Sequence, residues 1–448
     1  MTATERFLRY ITYDTQSDEA SDTRPSTDKQ RLLGQVLAEE LAALGLENAH
    51  LDPDGAVYAH LPATTGREGD PVIALIAHMD TSPSASGANV RARRVLCTGE
   101  DLVLNAEKGI VMEAAVFPDL QENAGEELIV TDGTTLLGAD DKAGVAEIMA
   151  AAEHLVRHPD LPHGRAAICF TPDEEIGRGA GYVDLDKLGA DFGYTVDGGP
   201  LGSLEYENFN AASAEITVRG VNIHPGEGKN KMKNAALIAA RFISLVPPAE
   251  SPAHTEGYEG FYHLCEMRGD ENEARLSWII RDHSREKFEA RKARMEAIAA
   301  YLNGEYGPGT VTAEIKDSYY NMLEKVADHP EVIDRARAAY RSVPGVTVKE
   351  VPIRGGTDGA QLSWRGLPCP NLSTGGYHFH GVFEYIPTRS LEAMTRVLVS
   401  LLTLPWGTAE DPDRGPIPSD KVFLRKIEKK VDKSGNRCYS IFRSLPRA

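Results

Sequence analysis

His78 and Asp80 follow the apolar run at residues 72–77, so an imidazole and a carboxylate emerge together where a buried strand ends. A spacing of two turns both side chains to the same side. Asp80 is then placed to accept a hydrogen bond from the far ring nitrogen of His78, which fixes the tautomer whose other nitrogen donates to a metal ion. The segment Leu137-Gly138-Ala139-Asp140-Asp141-Lys142 precedes an alanine-rich helix. One acid there suits a helix cap, a role for Asp141. Asp140, one residue earlier, is free to aim into a crevice and bridge two cations. Asp173-Glu174-Glu175 repeats the theme after the apolar run at 166–170. Three adjacent carboxylates past a buried strand repel one another unless cations neutralise them. Asp197 adds an acid at a fourth such end, and His378 and His380 lie on a glycine-flanked segment late in the chain. Taken singly, Asp197 reads as a turn residue and His380 as a loop histidine. Together the five places describe acid–base and metal chemistry at one sheet edge.

The elements that must position these groups alternate strand with helix. Apolar runs at 72–77, 128–130, 166–170 and 192–196, with a helix over 144–156, predict an α/β fold with a doubly wound, mostly parallel sheet. Helices are also expected at 4–10 and 30–44. From residue 212 the texture changes to strand 215–219, helix 234–246, strands 261–267 and 276–281, helix 285–302 and strand 311–315. That βαββαβ order predicts an inserted ferredoxin-like lid module, because α/β patterning resumes with helix 330–342 and strand 346–351. The expected organisation is a discontinuous catalytic domain at 1–210 and 320–405, a lid at 211–319, and a basic C-terminal extension at 406–448.

The chain has 448 residues and a net charge of −19, which disfavours nucleic acid and anionic membrane surfaces and points to small molecules or peptides. Residues 421–448 alone carry nine basic and two acidic side chains, the composition of a solvated arm. Five widely spaced cysteines without a CxxC motif suggest a reducing compartment, and neither a signal sequence nor a membrane span is apparent, so a cytoplasmic location is expected.

The wording of these segments, AHMDTSP, LLGADDKAG, PDEEIGRGA, TVDGG, IHPGEGKNKMKNA, WIIRD, IRGGTDG and LPCPNLSTGGYHFHG, resembles the peptidase T family of tripeptide aminopeptidases. That family belongs to the di-zinc exopeptidases, with carboxypeptidase G and the aminoacylases. The resemblance implies two Zn2+ per subunit, with Mn2+ or Co2+ as substitutes. One ion would be held by His78, Asp140 and Asp197 and the other by Asp140, Glu175 and His380. Glu174 would be the general base for a metal-bridging water, and Asp80 would orient His78. His224 would stabilise the oxyanion, and Arg281 and Arg354 would grip the substrate's carboxylate. His378, two residues before His380, could share its face. The same centre would serve a dipeptidase, a carboxypeptidase or an N-acyl amino acid hydrolase, and a non-catalytic peptide-binding relative is the alternative of another kind. Pairing into a homodimer stays open.

Overall fold

The computed structural model describes residues 1–406. Apart from Trp406, the expected basic extension lies outside them. Four parallel strands form the centre of an eight-stranded sheet, in the order Ala166–Thr171, Ile73–His78, Phe192–Gly198 and Asn371–Ser373. Every residue of Ile73–His78 and Ala166–Thr171 is buried. A sheet covered on both faces demands this, which is why these strands read as unbroken apolar runs. From Ile73–His78 the chain passes to the neighbour on one side, Ala166–Thr171, and later to the neighbour on the other, Phe192–Gly198. The carboxyl end of Ile73–His78 is therefore a topological switch point, where open α/β sheets form their crevices.

The helix Ala139–Arg157 covers the sheet and is almost wholly buried. Small residues permit a close approach: a Cβ added to Gly144 would meet the Val196 carbonyl oxygen at 1.9 Å and Asp141 Oδ1 at 2.5 Å. Gly144→Ala should push the helix off the strand that carries Asp197 and cost about 1–3 kcal/mol, the usual penalty of overpacking. Thermal unfolding checks this, and an unchanged midpoint would show that the contact yields freely.

The inserted segment follows the expected order: Asn210–Arg219, Ala235–Leu245, Phe261–Gly269, Glu273–Asp282, Arg285–Tyr306 and Val311–Tyr319. Its four strands pair antiparallel throughout, with Asn210–Arg219 and Glu273–Asp282 in the middle. This is the split βαβ, ferredoxin-like arrangement. Alternate residues of Glu273–Asp282 point into a core of their own, where Leu276, Trp278 and Ile280 meet Phe242, Phe288 and Leu302. The two crossings from the main sheet run side by side: Asn208 Nδ2 donates to the Tyr320 carbonyl at 3.2 Å, and the Asn321 amide donates to Asn210 Oδ1 at 3.0 Å.

Three expectations need correction. Residues 128–130 do form a strand, Glu127–Val130, but it is the centre of a separate antiparallel sheet between Tyr385–Pro387 and Arg93–Leu96. A short apolar run does not reveal its partners. The strand expected at 346–351 shrinks to Lys349–Glu350 at the sheet edge, where both residues are exposed. The main sheet also gains antiparallel strands Glu47–Leu51 and Val57–Leu61, and the helix Thr388–Thr403 was not anticipated. Among the described residues no helix is long and apolar enough to cross a membrane.

Candidate metal centre

Asp140 lies at the middle of the pocket, with one carboxylate oxygen turned to each of two imidazoles. Oδ1 is 2.9 Å from His78 Nε2, and Oδ2 is 3.0 Å from His380 Nε2. Around His78 the set continues with Asp197 Oδ1 at 3.4 Å, and around His380 with Glu175 Oε2 at 2.9 Å. Two neighbouring groups, each of one imidazole and two carboxylates, share Asp140. Local backbone makes this possible. Asp140 departs from helical geometry at φ −87° and ψ 104°, so its side chain leaves the helix that begins after it. Asp141 accepts the Gly144 amide at 3.2 Å on one oxygen and the His78 amide at 3.0 Å on the other, while a carboxylate oxygen stays within 4.8 Å of His78 and Asp197. It caps the helix and ties it to the strand end.

Asp80, fully buried, supports the centre from behind. His78 Nδ1 donates to its carbonyl oxygen at 3.1 Å and lies 3.3 Å from its carboxylate, so Nε2 is the nitrogen facing the pocket. The same carboxylate accepts the amides of Glu174 at 3.0 Å and Glu175 at 3.2 Å. The expectation that cations neutralise all three adjacent acids is corrected for Asp173, which points away and accepts from the Ser26 amide, Gln30 and Tyr182. Glu174 makes no side-chain hydrogen bond among the described residues, while Glu175 meets His380 with one oxygen and leaves the other buried without a partner.

Crowded charge leaves its mark on protonation. Burial pushes Asp197 up to about 7 against the pull of His78, and pushes Glu175 up to about 7, with Asp140 adding to the rise. Glu174 is raised by burial and by Asp197. Asp140 goes the other way, because hydrogen bonds from His380 and His78 outweigh its burial. Donating to the carboxylates of Asp140 and Glu175 holds His380 up at about 11. Protonation is thus favoured where ligand atoms converge, and the grouping of His78, Asp140 and Glu175, with one Glu175 oxygen buried without a partner, fits a divalent cation. With nitrogen and oxygen donors and no thiolate, the set suits Zn2+, Mn2+ or Co2+.

The remaining candidates lie apart. His378 Nε2 donates to Asp119 Oδ2 at 2.8 Å and its ring packs edge-on against Phe117, so it turns from His380 instead of sharing its face. His224 is exposed on the inserted segment, and its ring accepts the Gly226 amide. Arg281 donates to the carbonyls of Ala212 and Ile280 and stacks over Tyr319. Arg354 donates to the carbonyls of Gly257, Glu259 and Thr255, between the rings of Phe209 and Phe261. Among the described residues, none of the three is hydrogen-bonded to a residue of the centre. Among the buried acids that the sequence reading passed over, two hold the loops of the centre. Asp358 accepts Thr171 Oγ1 and the Ala180 amide, bracketing the Glu174 loop, and Glu384 accepts three amides of the Asp140 loop. Glu384 had a signal, an acid inside the apolar stretch Val382-Phe383-Glu384-Tyr385-Ile386, where burial demands partners.

Sheet, switch point and shared carboxylate define a class, the metal-dependent hydrolases built on an open α/β sheet with an inserted sandwich. Residues 127–404 match the model of peptidase family M20/M25/M40. Peptidase T of Halothermothrix orenii is 54% identical over 401 residues, covering 89% of this chain and 98% of that one. The solved structure of aminopeptidase PepT from Bacillus cereus superposes with a TM-score of 0.71 at 24% identity, over 90% of this chain and 97% of that one. Bacillus subtilis YXEP, described as a dinuclear metal-binding peptidase, shares the fold with a TM-score of 0.58 at 14% identity, over 90% and 96% of the two chains. The chain belongs to peptidase family M20/M25/M40, and within it to the peptidase T group.

Proposed function

We propose that the protein is a tripeptide aminopeptidase whose centre holds two divalent cations, one on His78, Asp140 and Asp197 and the other on Asp140, Glu175 and His380. The observation that carries this reading is the Asp140 carboxylate, with one oxygen on each imidazole. Bound cations supply Lewis-acid polarisation of the scissile carbonyl and acidify the attacking water. The protein's own groups do the rest. Glu174, half-buried and with its carboxylate free of hydrogen bonds among the described residues, takes the water's proton and passes it to the leaving amine. Asp80 keeps His78 Nε2 turned inward and holds the Glu174 and Glu175 amides in place. Residues 211–319 form the lid, from which His224 steadies the oxyanion and Arg281 reads the peptide's C-terminal carboxylate together with Arg354 of the catalytic domain. For Arg354 this requires the loop carbonyls at 255–259 to give up its guanidinium.

Turnover of matched di-, tri- and tetrapeptides by the zinc-loaded protein tests the reading. Tripeptides with a free N-terminus should be fastest, N-acetylated ones inert, and C-amidated ones poor. Equal cleavage of N-acetylated tripeptides would favour an N-acyl amino acid hydrolase, and equal rates on amidated ones would remove the arginine clamp.

Protonation gives an independent check. Ligands must be neutral imidazole and carboxylate, but near pH 7 His380 carries its proton and Glu175 and Asp197, at about 7, are partly protonated. Zn2+ binding should therefore release on the order of one proton or more, with affinity rising most steeply through about pH 7, where Glu175 and Asp197 lose their protons, and continuing to rise toward about 11, where His380 does. Calorimetry in buffers of different ionisation enthalpy reads this directly, and binding without proton release would contradict the ligand set.

A further inference from the structure

Several acids beside the centre turn away from it, and among them Glu384 gathers the most backbone amides. It is 2% exposed. Its Oε2 accepts the amides of Leu137 and Gly138, both at 2.8 Å, and its Oε1 accepts the Asp140 amide at 3.0 Å. These are the amides of the turn that delivers Asp140, and the turn needs Gly138 at φ +83°. The next residue, Tyr385, donates its hydroxyl to Asp119 Oδ2 at 2.5 Å, and the same oxygen accepts His378 on the loop that carries His380. Adjacent residues of one strand entry thus hold the loops of Asp140 and His380.

We propose that Glu384 is a positioning residue: its carboxylate gathers three amides of the 137–140 loop and so sets the direction in which Asp140 offers an oxygen to each half of the centre. The proposal rests on the two-cation reading above. A carboxylate is needed because both of its oxygens must accept. In Glu384→Gln the remaining oxygen serves Leu137 and Gly138, while the amide NH2 confronts the Asp140 N–H, donor against donor. The disturbance falls on the residue shared by both halves, with the core otherwise unchanged in volume.

The test uses the full chain loaded with Zn2+. Partners that orient metal ligands typically carry about 10- to 100-fold in metal affinity, so Glu384→Gln should bind Zn2+ more weakly by that factor in competition with a chelator. At saturating Zn2+ its kcat on trialanine should fall about tenfold or more while KM stays within about twofold, since the substrate contacts are untouched. The visible spectrum of the Co2+-loaded variant should change as well, whereas a purely structural residue would lower the melting temperature and leave affinity and spectrum alone. If Glu384→Gln does not fold, Glu384→Asp, which keeps the charge and withdraws it by one methylene, is read in the same way. Zn2+ affinity within twofold of wild type overturns the proposal. A wild-type protein that binds no Zn2+ and cleaves no tripeptide overturns the two-cation reading instead, and this one with it.

Discussion

Glu174→Gln should lower kcat on a tripeptide by about 10²- to 10⁴-fold, roughly 3–5 kcal/mol of transition-state stabilisation, while both cations stay bound. The amide has the shape of the carboxylate and removes only the ability to take a proton. The surroundings make the expectation specific. Glu174 and Glu175 are consecutive, and both amides are fixed by Asp80, yet only Glu175 meets His380. The side chain of Glu174 has no competing hydrogen bond, so its oxygens are available to a water molecule. Burial and Asp197 raise its pKa, the direction that favours a carboxylate able to take up a proton. Metal content and steady-state kinetics on one preparation decide the matter. Near-native turnover would remove Glu174 as base, and loss of a cation would make it a ligand.

What was legible in the sequence followed from burial. Parallel strands covered on both faces must be apolar throughout, so Ile73–His78, Ala166–Thr171 and Phe192–Gly198 announced themselves, and polar residues just beyond them had to lie at the sheet edge. The inserted module was readable for a related reason, because strands with one core face alternate and helices of a different period separate them. What was hidden depended on partners distant in the chain. Asp173 looked like one of three equivalent acids until Ser26 and Gln30, from a helix start far upstream, took it out of the pocket. His378 and His380 were indistinguishable as neighbours on a glycine-rich segment. Asp119, in a stretch with no chemical pattern, separates them by accepting from the first. Likewise, residues 128–130 had the texture of any buried strand, and only the pairing with Arg93–Leu96 and Tyr385–Pro387 shows that they belong to a different sheet.

Asp140→Asn should have the largest effect on metal content, weakening both sites together. In the wild-type protein each oxygen of Asp140 serves a different imidazole, and among the described residues no other carboxylate is within hydrogen-bonding reach of both. Asparagine offers one oxygen and one NH2. Whichever way the amide turns, a donor faces either His78 or His380, and the negative charge that offsets two cations is gone. Affinity for Zn2+ should drop by at least about 100-fold, beyond the range for residues that merely orient ligands, and tripeptide turnover should fall with it. The backbone amide of residue 140 is retained, so Glu384 keeps all three of its donors and the loop should hold its conformation. That separates the two variants: Glu384→Gln moves a correct ligand, whereas Asp140→Asn leaves a wrong one in the right place. Raising Zn2+ should therefore restore full occupancy to Glu384→Gln at lower concentration than to Asp140→Asn. If Asp140→Asn retained two equivalents of Zn2+ at wild-type affinity, Asp140 would not join the two halves of the centre.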